Sequence, residues 1–251
     1  MTDTTPSSVE RVSLSEAVRR KGGALRSAAE AVPVYVWAAL ALMLLPMLWV
    51  LAVLDWAQDW SRGLLVIATA GLIMSPTLVR HRLPVLMPPW LELSLAAFIY
   101  SCLFLGEVVG LYEAIWWWDM MLHTASGVLF GVVGLALAYG WGGLRLAPRL
   151  AFLFAVMFAM SVGTFWEFYE YAFEALTGID MQTAKFGDGS GLTDTMLDMA
   201  LNAIGAVGVA VHGWRATRPG RRSGAPAWIE TFVAVNAAFF GRAADPPMRR
   251  G

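Results

Sequence analysis

The chain has 251 residues, 58% of them hydrophobic and only 15% charged, with a mean hydropathy of +0.59. Soluble domains carry about 45–50% apolar and about 25% charged residues, so this balance excludes an ordinary soluble domain and points to repeated membrane crossing. The formal net charge of −1 provides no basic surface for a nucleic-acid partner, and a single cysteine, Cys102, excludes an intrachain disulfide.

Residues 1–33 are polar and rich in Ser, Glu and Arg. They lack the short apolar core and cleavage site of a signal peptide and are expected to form a retained cytoplasmic tail. Six segments follow that are long enough to cross a hydrocarbon core of about 30 Å. They run over about 34–54, 63–79, 91–111, 118–139, 150–173 and 193–214, the third starting just after the breaker Pro88–Pro89. Gly127 and Gly131 in the fourth, and Gly205 and Gly208 in the sixth, provide small faces where helices approach closely. The expected fold is an all-α polytopic bundle of six transmembrane helices over 34–214. The remaining tail, 215–251, contains an apolar stretch, 227–240. There Trp228, Phe232, Val235 and Phe239 recur at helical spacing, as in a helix lying flat on the membrane surface.

Loop charges set an expected orientation. The N-terminal tail carries Arg11, Arg19, Arg20, Lys21 and Arg26. The loops after the second and fourth spans carry Arg80, His81 and Arg82, then Arg145 and Arg149; the last tail carries Arg215, Arg218, Arg221 and Arg222. The alternate connections are mainly acidic, with Asp55, Asp59, Glu107, Glu113, Glu174, Asp180 and Asp188 against Arg62 and Lys185. The positive-inside rule then makes both termini cytoplasmic.

With that orientation, three acidic or imidazole pairs fall in one leaflet. Asp119 with His123 and Asp194 with Asp198 are spaced i, i+4, and Glu167 with Glu170 is spaced i, i+3, so each pair shares a helical face. An ionisable group in such a segment costs about 2.5–3.5 kcal/mol on insertion scales and needs a partner or a purpose. The direction of each helix sorts the groups into a rim layer of Asp119, Glu170 and Asp194 and a deeper layer of His123, Glu167 and Asp198. Adjacent carboxylates and an imidazole suit a divalent cation, which relieves their repulsion; the imidazole shifts the preference toward iron, zinc or manganese. All six residues are candidate metal ligands, and Glu167, Asp198 and His123 are the candidate catalytic groups. Asn202, one turn beyond Asp198, reads as a hydrogen bond between helices.

The stretches Trp118-Asp119 through His123-Thr-Ala-Ser126-Gly127, Gly163-Thr-Phe-Trp166-Glu167-Phe-Tyr-Glu170, Met181-Gln182 and Asp194-Thr195-Met196-Leu197-Asp198-Met199 with Asn202 resemble the YjdF-like family of bacterial inner-membrane proteins. Asp119 to His123 and Asp198 to Asn202 are also distantly similar to VanZ-like membrane proteins. These resemblances imply a multi-pass inner-membrane protein with a polar site and name no reaction. Three functions fit: a metal-dependent enzyme acting on a lipid-linked or amphipathic substrate, a proton-coupled transporter, or a structural membrane partner protein without catalysis. The inner parts of the same helices, such as 132–137 and 151–157, are apolar, which favours a one-sided site over a through-path.

Overall fold

The computed structural model describes residues 26–27, 30–178, 181–182, 188–216 and 225–241. Arg11, Arg19, Arg20, Lys21, Asp180, Lys185, Arg218, Arg221 and Arg222 lie outside the described residues. All regular structure among the described residues is helical. In chain order come α1 (Val34–Val53), α2 (Trp60–Leu78), one 3-10 turn (Arg80–Arg82) and α3 (Pro89–Ile99), which runs on into wider π-helical turns (Tyr100–Val108). Then follow the short α4 (Leu111–Ala114), α5 (Trp118–Gly142), α6 (Pro148–Thr177), α7 (Leu192–Ala216) and α8 (Ala227–Val235). Six helices, with α3 and its π-helical extension taken as one, are long and apolar enough to cross a membrane. α5 alone has 25 residues, about 37 Å at 1.5 Å per residue.

Sequence sets the helix ends. Pro88-Pro89 opens α3, with Pro89 at its first position and Glu92 in its first turn, where the helix dipole favours an anion. Pro148 opens α6, and Gly178 closes it at φ 72°, a left-handed turn that glycine adopts without a Cβ penalty.

The bundle has two parts. α1 to α3 pack around large side chains, with Val36, Leu40, Met47, Val66, Ile73 and Phe104 at the centre. α5, α6 and α7 pack through small ones. The buried face of α6 reads Ala151, Ala155, Ala159, Gly163 and Glu167, one residue every four. Against it α7 buries Asp198, Asn202, Ala206 and Ala210. A Cβ on Gly127 would fall 2.0 Å from the Asn202 carbonyl oxygen, and one on Gly205 would fall 2.2 Å from that of Thr124. The backbones of α5 and α7 therefore meet directly, as small residues permit. Gly208 does not share this role, because a Cβ there would meet nothing within 4 Å. It lies on the side of α7 turned away from the crossing.

At the opposite end from the acidic residues, the apolar C-terminal stretch is helical over Ala227–Val235 only. Its buried face is Ile229, Phe232 and Val233, continued by Phe240, and it packs on Leu135, Tyr139, Ala151 and Ala155. This departs from the stripe expected for a helix lying flat, since Phe239 is exposed and Ile229 is buried. Two local features account for the docking. The Phe240 ring fills the hollow over Gly140, where a Cβ would fall 2.2 Å from it. Asn236 accepts from the Leu86 amide at 2.7 Å and donates to the Leu86 carbonyl at 3.0 Å. Nearby, buried Arg80 pairs with buried Glu92 and donates to the Met87 carbonyl at 2.9 Å, while the Thr77 hydroxyl donates to Glu92. Arg80 is thus half of a buried ion pair as well as a loop charge.

Candidate metal centre

Three helix ends build the site. Asp119 and His123 lie in the first turns of α5, Asp194 and Asp198 in the first turns of α7, and Glu167 and Glu170 near the end of α6. Nε2 of His123 lies 3.3 Å from Asp119 Oδ1 and 3.9 Å from Asp198 Oδ2. One donor atom each from Asp119, His123 and Asp198 falls within 4.8 Å of the others. A cation with ligands at about 2.0–2.2 Å in tetrahedral geometry holds them roughly 3.4 Å apart. The three donors therefore need only a small inward movement to share an ion.

Asp119, expected at the rim, groups with His123 and Asp198 of the expected deeper layer, which fits the lean of helical side chains toward their own N-terminus. α5 and α7 begin at this end, so His123 and Asp198 lean outward toward Asp119. α6 ends here, so Glu167 and Glu170 lean inward. Glu170 is accordingly buried rather than wet at a rim, and its Oε1 accepts the Trp166 indole N–H at 2.7 Å. Asp194 is buried as well. Only Asp119 keeps a partly open side chain, 26% exposed against 1% for Asp198.

Glu167 stands on the other side of the imidazole. Its Oε1 lies 3.9 Å from Nδ1 of His123, the nitrogen turned away from Asp119 and Asp198. Its side chain is 4% exposed, and neither carboxylate oxygen has a hydrogen-bond partner among the described residues. Glu170 and Asp194 are its acidic neighbours, and the Thr195 hydroxyl stands beside it as a weaker, longer-range hydrogen-bond donor. Burial without a hydrogen bond is costly for any polar group and most of all for a carboxylate.

The described residues of the connection between α6 and α7, Met181 and Gln182, tie back to both helices. Glu174 Oε2 accepts the backbone N–H of Met181 and of Gln182, both at 3.1 Å. Gln182 Nε2 then donates to Thr195 Oγ1 at 2.7 Å. Gly191, at φ 72°, lets the chain turn into α7 with Gln182 packed against it. The cap of α7 comes from Asp188, whose Oδ2 accepts from the Thr193 amide at 2.9 Å and the Thr193 hydroxyl at 2.7 Å. Bonds from the Ser190 and Thr193 side chains, then from their amides, hold the Asp188 carboxyl well below the usual carboxylate range.

Beneath the acids, the Asn202 amide lies 2.8 Å from the Ser126 hydroxyl. With its oxygen assigned toward the Gly127 amide, 3.3 Å away, its nitrogen donates to the Ala159 carbonyl at 3.1 Å. It then ties α5, α6 and α7 together, as expected for a hydrogen bond between helices. Sequence inspection alone assigned no role to Trp166, Gln182 or Thr195. Met181-Gln182 was visible as a motif, but its link to Thr195 crosses between two segments and leaves no periodic signal.

The fold and the grouping of these side chains define a polytopic helical membrane protein with a buried acidic and imidazole cluster between three of its spans. The chain belongs to the family described as "Predicted membrane protein (DUF2238)", which matches residues 35–219. No curated protein and no solved structure matches it.

Proposed function

We propose that Asp119, His123 and Asp198 hold a divalent cation, and that this centre serves a metal-dependent reaction on an amphipathic, lipid-linked substrate at the outer leaflet of a bacterial inner membrane. The observation that carries the reading is the convergence of two carboxylates and one imidazole nitrogen within 4.8 Å, inside a membrane segment. This donor set suits manganese, iron or zinc. A cation held there would supply Lewis-acid chemistry, and Asp119 is the one of the three ligands with a partly open side chain. Glu167, Glu170 and Asp194 add negative potential and proton-accepting groups around it.

The alternate-loop charges support the outer placement of the site and cytoplasmic termini. Close packing at the other end supports a one-sided centre over a proton-coupled carrier. There Tyr139, Ala151, Ala155, Ile229 and Phe232 are all buried, and the charged pair near that end, Arg80 with Glu92, is internally neutralised.

Titration of chelator-stripped protein in detergent with Mn²⁺ or Zn²⁺ should show about one tight site per chain, absent in Asp198→Asn. Binding that survives Asp198→Asn would move the centre elsewhere. For orientation, a cysteine at Asp188 in a Cys102→Ala background should react with an impermeant thiol reagent on intact cells, and one at Leu146 should not. The reverse pattern would overturn the outer placement.

A further inference from the structure

Glu167 is the residue in this cluster whose position departs most from its expected role. A ligand of the same ion as Asp119 and Asp198 would face Nε2 of His123 with them. Glu167 instead faces Nδ1, and it is not among the three residues whose donors converge. An imidazole that binds a cation through one nitrogen carries a proton on the other, and that N–H is normally given to a carboxylate, carbonyl or water. Among the described residues, the group set against Nδ1 is the buried Glu167 carboxylate, and both of its oxygens lack a close hydrogen-bond partner.

We propose that Glu167 is a positioning residue that accepts the Nδ1 proton of His123 and so fixes Nε2 as the cation-binding nitrogen, rather than being a ligand itself. The inference rests on the reading of Asp119, His123 and Asp198 as a cation site. The observed separation of 3.9 Å exceeds a hydrogen bond by about 1 Å, which a small side-chain adjustment closes. Cation binding favours that closure, because drawing electron density from Nε2 makes the Nδ1 proton a stronger donor. The closure also relieves the cost of a buried carboxylate without a donor. Gln182 and Thr195 complete the support. The Gln182 amide donates to the Thr195 hydroxyl, which in turn approaches the Glu167 carboxylate.

The test is Zn²⁺ titration of the full chain in detergent, by competition with a chelating dye, for wild type, Glu167→Gln, Glu167→Leu and Asp198→Asn. Nitrogen-15 spectra of histidine-labelled, zinc-loaded protein accompany it, with His123→Ala for assignment. Both Glu167 variants should keep one ion per chain with affinity about 10–100-fold weaker, Leu more than Gln, whereas Asp198→Asn loses the ion. Wild type and Glu167→Gln should show zinc on Nε2 and a hydrogen-bonded Nδ1 proton, since the Gln carbonyl still accepts. Glu167→Leu should lose that bonded proton. Loss of the ion in Glu167→Gln to the extent seen in Asp198→Asn would make Glu167 a ligand and overturn the inference while leaving the cation site intact. Wild-type affinity and an unchanged Nδ1 signal in Glu167→Leu would overturn it equally. A wild type that binds no zinc would remove the cation site and this inference together.

Discussion

Glu92 and Glu167 are both carboxylates in membrane-spanning helices, 3% and 4% exposed, yet their surroundings are opposite. Glu92 faces the Arg80 guanidinium and the Thr77 hydroxyl, and Arg80 is steadied in turn by the Met87 carbonyl. Its charge is balanced and its lone pairs are used. Glu167 has other carboxylates for neighbours, an imidazole at 3.9 Å and no close hydrogen bond. The first arrangement ties a loop to a helix and is complete in itself. On the proposed reading, the second would be completed by the Nδ1 proton of a cation-bound His123. Burial of an acid thus does not separate a structural role from a functional one; the state of its partners does.

Substitution sharpens that contrast most. Glu92→Gln leaves the buried Arg80 without a counter-charge and should destabilise the protein by about 3–5 kcal/mol. Glu167→Gln removes a charge that lacks a hydrogen bond, so cation-free protein should unfold at the same temperature or higher. Thermal unfolding in detergent, with cations removed, checks both. Equal losses in the two variants would erase the distinction.

A second contrast lies in the glycines. Gly127→Ala drives a methyl group into the Asn202 carbonyl at the crossing of α5 and α7. It should cost at least about 1–3 kcal/mol, the range for an overpacked core. It should also weaken cation binding, because the two helices that carry Asp119, His123 and Asp198 are pushed apart. Gly208→Ala faces open space and should be neutral or slightly stabilising through helix propensity. Comparable losses would mean that the crossing is not as close as described.

The smallest effect concerns Asp188 outside the spans. Its carboxyl is held low by the bonds that cap α7. A depressed folded value means that the stabilisation is fully present above the ordinary carboxylate range, near pH 4, and is lost as pH falls through the folded value. Asp188→Asn should therefore lower stability at neutral pH and flatten the acid side of the stability curve. A parallel acid limb in the variant would show that the cap contributes nothing.

Much of this architecture was legible in the sequence. Length and hydropathy alone resolve six spans, whereas the four-residue rhythm of Ala151, Ala155, Ala159, Gly163 and Glu167 on the buried face of α6 emerges with the fold. The i, i+4 spacing of Asp119 with His123 and of Asp194 with Asp198 places each pair on one face. What the sequence could not supply was pairing between segments. Arg80 and Glu92 are joined across a proline turn, and only the fold shows that a loop arginine is buried. Which nitrogen of His123 faces which acid depends on the lean of side chains from three helices. The C-terminal stretch has the apolar rhythm of a surface helix, and only the hollow over Gly140 and the amide of Leu86 show where it docks.

The central claim is that Asp119, His123 and Asp198 form a cation site, and it is tested most directly by elemental analysis of protein purified under cation-replete conditions. Wild type should carry about one divalent cation per chain, and Asp198→Asn should carry none while remaining folded, because the amide keeps the shape and removes the charge that balances the ion. A metal-free wild type, beside an Asp198→Asn variant that is more stable to heat, would contradict the account and leave the cluster as a tie between three helices.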